Sequence, residues 1–319
     1  MTITRRSLLA GAAALPTAAL AQGKYPERPI RLIVPFPPGG GVDLTARLLA
    51  EPLAKELGQT IVIENKGGAG GLIGIEAMSR AVPDGYTLAV TGVSSMSAGP
   101  HLRGEKLPFD PMAFAHITRL VRMPLILAVR NDLPANTLPE FMALARASEI
   151  RWASGGIGTS QHLGGELFVQ MSGLKMIHVP YRGTGPALND LAGGVVDAYF
   201  GDPATLGIIK GGKARAMAVT SGERWLVLAD VPTLGEAVPG YEAWNWYGLD
   251  GPPGLPAPIV ARLAEAVRKV MDEPATRKKY DDNGLHPATL SHDDYVAFIK
   301  RDSEVWGKVI RTGNIRPED

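Results

Sequence analysis

A repeated junction constrains this chain more than any other feature. Three times a short β-branched or apolar run ends in a glycine-rich loop that opens into an amphipathic helical stretch. The loops read PFPPGGGVD after 30–35, GGIGTSQHLGGELF after 151–154 and YRGTGPALNDL after 177–180. A strand that feeds a helix through a short loop is the building unit of a parallel sheet covered by helices. Further strand-like runs at 60–64, 87–91, 125–129, 198–201 and 214–220 extend the pattern. Helices are expected at 42–57, 71–81, 138–147, 161–172, 184–192, 258–271, 274–283 and 292–312, the last with acidic Asp293 and Asp294 near its start and basic Lys308 and Arg311 near its end, as the helix dipole favours. The strands suit two small sheets better than one. The expected fold class is therefore α/β with two lobes.

Two stretches read as crossings between the lobes, one near 120–124 and one near 220–245, the second rich in turn residues and aromatics. On that reading residues 22–122 and 224–319 form the first lobe and 123–223 the second. Two crossings make a hinge and leave a cleft. In open α/β sheets a ligand sits beyond the carboxyl ends of the strands, where loops feed helix N-termini. The first turn of a helix carries unpaired N–H groups and a partial positive charge, so such a loop binds an anion without a lysine.

The residues at these loops leave alternatives open. Asp43 either faces a ligand or simply caps its helix, and Thr159 and Ser160 either donate hydroxyls or serve as N-caps. Tyr181 is placed to line a pocket. Arg182 either pairs with a carboxylate or is a solvated side chain. Asp202 either accepts from an amine or hydroxyl of a ligand or belongs to an ordinary Asp-Pro turn.

Composition narrows the function. Lys+Arg 33 against Asp+Glu 32 leaves a formal charge of +1 with no run of like charges, so nothing marks a nucleic-acid or anionic membrane partner. With no cysteine, thiolate metal sites, disulfides and cysteine nucleophiles are excluded together. The six histidines, among them His162 and His178, show no metal-ligand spacing, and no metal or cofactor is expected. GIIKGGK at 207–213 has the spacing of a phosphate loop, but Ala214 stands where magnesium needs a hydroxyl. SGLK at 172–175 matches SxxK without its partner motifs, and GxGxxG, GxSxG and HExxH are absent. No catalytic residues are assigned.

Residues 1–21 read as an export signal. Arg5 and Arg6 precede an uncharged Ala/Leu-rich stretch that ends in Ala19-Leu20-Ala21. The paired arginines suit a twin-arginine or a Sec signal. Cleavage after Ala21 would leave a soluble exported chain.

The runs YPERPIRLIVPFPPGGGVDLTARLLAEPLAKELGQTIVIENKGGAGGLIGIEAMSRAVPDGYTL, GTSQHLGGELF, HVPYRGTGPALNDLAGG, RAMAVTSGERW, ADVPTLGEA and WYGLDGPPGLP follow one another in order. Together they resemble the Bug/TctC family of extracytoplasmic solute receptors of tripartite tricarboxylate transporters. The resemblance implies a periplasmic-binding-protein-like, Venus-flytrap fold and a small organic carboxylate as ligand. It implies that the closed receptor, a monomer, hands its ligand to membrane permease subunits. It also implies that backbone amides and small hydroxyls of both lobes hold the carboxylate. Carried to this sequence, the first-lobe residues are Phe36, Pro38, Gly39, Gly40 and Asp43, with Thr91 and Ser95. The second-lobe residues are Ser154, Gly158, Thr159, Ser160 and His162, followed by Tyr181, Arg182, Gly183 and Asp202. An exported enzyme using Asp43, His162 or Asp202 as base, or a ligand-sensing subunit of a signalling system, are the rival readings.

Overall fold

In the computed structural model, which describes residues 25–317, the chain builds two mixed sheets. It begins with β1 (Ile30–Val34), α1 (Gly41–Leu57), β2 (Ile61–Asn65), α2 (Leu72–Ser79) and β3 (Thr87–Gly92), with β1 parallel to both β2 and β3. A wide helical turn, Ser94–Ala98, and the short α3 (Gly99–Arg103) lead to β4 (Ala115–Pro124). The second sheet and its helices follow: β5 (Ile126–Arg130), α4 (Leu138–Ala147), β6 (Ile150–Ser154), α5 (Ser160–Ser172), β7 (Met176–Pro180), α6 (Thr184–Ala192), β8 (Ala198–Gly201), α7 (Leu206–Lys210) and β9 (Ala214–Val219). The chain then returns through β10 (Trp244–Gly251), α8 (Ala257–Asp272), α9 (Pro274–Asp282), β11 (His286–Pro287) and α10 (His292–Thr312).

The first sheet has the order β11-β4-β10-β3-β1-β2 and the second β7-β6-β8-β5-β9. Both are parallel where strands alternate with helices and antiparallel around the strands that change lobe: β10 opposes β3 and β4, and β5 opposes β8 and β9. The glycine-rich loops therefore all leave carboxyl ends of strands, at the side where the two lobes face each other.

Both segments read as crossings overlap strands. Residues 120–124 are the end of the ten-residue β4, and the second stretch runs into the start of β10, which pairs with β4 from Trp244↔Pro124 to Gly251↔Ala115. Propensity hides both, because β4 carries His116, Arg119 and Arg122, while β10 carries Asn245, Gly248 and Asp250. The tertiary setting overrides it. Asp250 is fully buried against His116, Nδ1 to Oδ1 at 2.6 Å, and at Gly248 a Cβ would lie 1.8 Å from the Tyr295 hydroxyl.

The passage between lobes is short and stitched. Only Leu125 separates β4 from β5. Its amide donates to the Thr220 hydroxyl (2.7 Å) and its carbonyl accepts from the Thr220 amide (3.0 Å). The same hydroxyl donates to the carbonyl of Ala243 (2.7 Å), whose amide returns to the Thr220 carbonyl (2.8 Å). One threonine thus ties together the three chain segments that pass between the sheets. Residues 224–243 straddle the junction: Trp225 packs with Ala128, Leu191 and Tyr199 of the second lobe yet donates to His286 of the first.

The core is layered. Ile30, Leu32, Leu49, Leu53, Leu263 and Val267 fill one face of the first sheet beneath α1 and α8. A second apolar body runs from Ile33 and Met78 through Trp246, Tyr295 and Trp306 to Leu127, Phe168 and Phe200 of the second lobe. Helix α10 is the spine of that body, and Gln170 of α5 donates to its Val309 carbonyl at 3.1 Å. Among the described residues no helix is long and apolar enough to cross a membrane. The export signal expected over residues 1–21 lies outside the described residues.

Candidate functional site

Two adjoining cavities open where the strand ends of the two sheets meet. The inner one, of about 50 Å³, is lined from the first lobe by Phe36, Gly40, Thr91, Ser94, Ser95 and Tyr247. From the second it is lined by Thr159, Ser160, Gln161, Gly183, Thr184 and Asp202. The outer one, of about 850 Å³, shares Phe36 and Gly183 and adds Pro38, the glycine loop at 67–71, Gly158, Tyr181, Arg103 and Arg182. No lysine, arginine or histidine lines the inner cavity. Both charged arginines stand in the wider outer space.

The inner cavity is made of helix starts. Helix α5 begins at Ser160, with Thr159 as its N-cap: the threonine hydroxyl accepts from the His162 amide (3.3 Å) and donates to the Gly156 carbonyl (2.7 Å). The amides of Ser160 and Gln161 stand in the first turn, where a helix has no internal acceptor. Opposite, β3 gives way at Gly92 to the turn starting at Ser94, which offers first-turn amides of the same kind. Thr91 presents a hydroxyl whose proton goes to buried Asp250, so its lone pairs are what remain for the cavity.

The start of α1 is arranged differently from that of α5. The Gly41 amide donates to Asp202 Oδ2 of the other lobe at 3.1 Å. The same oxygen accepts from Thr184 (3.2 Å) and Gln161 (3.2 Å), and Oδ1 accepts from the Ala204 amide (2.9 Å). The positive end of α1 is thus occupied by the protein's own carboxylate. Burial pushes the Asp202 carboxyl up, against these hydrogen bonds, which lower it.

Of the residues expected at the site, Phe36, Gly40, Thr91, Ser95, Thr159, Ser160, Gly183 and Asp202 come together around the inner cavity. Pro38, Gly158, Tyr181 and Arg182 lie around the outer one. Gly39, Asp43, Ser154 and His162 line neither cavity; each holds a loop in shape. Asp43 accepts from the Gly39 amide (3.0 Å), Arg47 (2.9 Å) and Asn65 (2.9 Å), and although burial works to raise it, these donors hold its carboxyl below the ordinary range. Ser154 pairs with His178 at 2.7 Å, and His162 Nδ1 accepts from the Gly158 amide at 3.1 Å. Burial lowers both imidazoles, with His178 brought down to about 4, and their rings stack at 4.0 Å. A neutral His162 is the form that can accept from Gly158.

Gln161, Thr184, Asn245 and Tyr247 belong to the inner cavity and escaped the sequence reading. Gln161 and Thr184 were legible only as the first residues of helices after glycine loops. Asn245 and Tyr247 sit on β10, whose strand character the sequence hides.

These features match known proteins along nearly the whole chain. Residues 45–315 match the family model of the tripartite tricarboxylate transporter family receptor, TctC. The chain belongs to this family. Protein BugT of Bordetella pertussis is 33% identical over 299 residues, 92% of each chain. Among solved structures, the periplasmic binding protein BugD is similar with a TM-score of 0.86 at 34% identity, covering 92% of this chain and 100% of that one. A Rhodopseudomonas palustris protein solved with adipate gives 0.89 at 32% identity, covering 92% and 100%, and MatC of the same species, solved with bound malate, gives 0.82 at 32%, covering 90% and 100%. The Bug/TctC resemblance and the two-lobed binding-protein fold expected from the sequence are borne out. The TctC relatives are solute-binding proteins and not enzymes.

Proposed function

We propose that this protein is an exported, periplasmic solute receptor that captures a small organic carboxylate between its lobes and, as a monomer, delivers it to the permease of a tripartite transporter. The observation that carries this reading is the inner cavity: cation-free, reached by first-turn amides and hydroxyls from both lobes, and enclosed where they meet. Hydrogen bonds from neutral donors to an anion are about twice as strong as neutral pairs, which lets a site without cations select an acid. Because the donors come from both lobes, a bound acid completes its contacts only in the closed form. A ligand shifts such an equilibrium solely through its differential affinity for that form. About 2 to 3 kcal/mol of difference moves the ratio roughly 30- to 150-fold. The family match and the neighbours solved with adipate and malate support the ligand class.

The test is a thermal-shift screen of mono- and dicarboxylates, adipate and malate included, beside amines and neutral sugars of similar size. The expected result is a concentration-dependent rise in Tm for one group of acids only, since a ligand that binds the native state stabilises it by mass action. A rise with amines or sugars and none with acids would refute the assignment.

A further inference from the structure

Asp202 is the one ionisable carboxylate lining the inner cavity, and it is 2% exposed. Its surroundings are known from every side. The start of α1 contributes the Gly41 amide, α5 the Gln161 amide group, α6 the Thr184 hydroxyl and the turn after β8 the Ala204 amide. The titratable groups facing it are the phenols of Tyr199 on β8 and Tyr247 on β10, which burial, followed by the Asp202 charge, holds well above their ordinary value and therefore neutral. No cationic side chain shares the cavity.

Two consequences follow. A carboxylate has about four lone-pair positions, and Asp202 already accepts four hydrogen bonds from the protein, so none is left for a ligand ammonium. Asp202 is therefore not a counter-ion for an amino group. A ligand acid entering a space of about 50 Å³ comes to lie beside this carboxylate with no cation to separate them. Two buried carboxylates in one site do not both stay ionised; the pair keeps a proton.

We propose that capture of an acid in the inner cavity takes up one proton, carried on the ligand's carboxyl group beside an ionised Asp202 whose lone pairs the protein already fills. The inference rests on the carboxylate reading above and adds its linkage to pH: the receptor binds its acid more weakly as the medium becomes more alkaline. The imidazoles of buried His162 and half-buried His178 titrate below the window concerned, because desolvation lowers both.

The experiment is calorimetric titration of the full-length mature protein with adipate and with malate, in phosphate and in Tris, between pH 7 and 8.5. The heat difference between the buffers should report uptake approaching one proton per acid bound, and the affinity should fall by up to about tenfold per pH unit, the slope of one linked proton. Asp202→Asn should bind with no proton uptake and with affinity independent of pH over the same range. Wild-type binding that is independent of pH, with equal heats in both buffers, overturns the proton linkage and leaves the carboxylate reading standing. Failure of every acid in the screen to bind at any pH overturns the carboxylate reading and this inference with it. The wild-type measurement decides the matter even if the variant does not fold.

Discussion

At the scale of single residues, the site depends on what is absent at Gly41. A Cβ there would lie 3.0 Å from Asp202 Cγ and 3.2 Å from the Tyr247 hydroxyl, so the missing methyl is what lets the lobes approach. Gly41 opens α1 in ordinary helical geometry, so alanine suits the backbone, and its methyl would press on Asp202 across the cleft and on Tyr247 of its own lobe. Gly41→Ala should keep its circular dichroism while acid affinity falls on the order of tenfold, the effect of roughly 1 to 3 kcal/mol of overpacking. Unchanged affinity in that variant would separate Gly41 from closure. His178 gives a second prediction. Its folded pKa of about 4 lies below the ordinary 6.5, so the unfolded chain takes up a proton first as pH falls. Stability is full above about pH 6.5 and declines towards pH 4, by roughly 3 kcal/mol from this residue at 1.36 kcal/mol per unit. Denaturant titrations across that range should show the decline, and His178→Gln should flatten it. A wild-type stability that stays level from pH 6.5 to 4.5 would contradict the neutral, half-buried imidazole. Loops that precede helices announce themselves locally, which made Thr159, Ser160 and Asp202 candidates, and the family resemblance assigned them to the site. It did not reveal that Asp202 faces the start of α1, since that contact joins residues 161 positions apart.

At the scale of elements, the loop-to-helix junctions were legible and the strands that change lobe were not. Glycine, hydroxyl and apolar periodicity mark the starts of α1, α5 and α6 within a few residues. β4 and β10 stabilise each other through the His116–Asp250 pair and the ring of Tyr295 under Gly248, information that a single segment does not carry. The same elements meet at Thr220, whose hydroxyl accepts from Leu125 and donates to Ala243. Thr220→Val conserves shape and removes both bonds, leaving a buried amide and a buried carbonyl short of a partner. A loss of about 2 kcal/mol in urea unfolding is expected, since each orphaned group costs roughly 1 to 3 kcal/mol. Thr220→Ser should recover most of it. Equal stability of the valine and serine variants would show that packing, not hydrogen bonding, holds the junction.

At the scale of the whole molecule, two sheets joined by three adjacent segments and braced by α10 hold their polar cavities where the strand ends of the two sheets meet. The two-lobed α/β architecture was legible because strand and helix alternate along most of the chain, and the side on which a ligand sits follows from the carboxyl ends of the strands. The division of the space into a small cation-free chamber and a wide one carrying Arg103 and Arg182 was not legible, because it depends on how closely Gly40 and Gly41 let the lobes approach. The central claim is that neutral donors of both lobes hold the acid in the small chamber. A crystal structure of the protein with the acid that stabilises it most tests this directly. The account predicts carboxyl oxygens about 3 Å from the main-chain nitrogens at Ser94–Ser95 and Ser160–Gln161, hydrogen-bonding distance to both lobes at once. An acid found instead in the wide chamber, paired with Arg103 or Arg182 and touching one lobe alone, would contradict it.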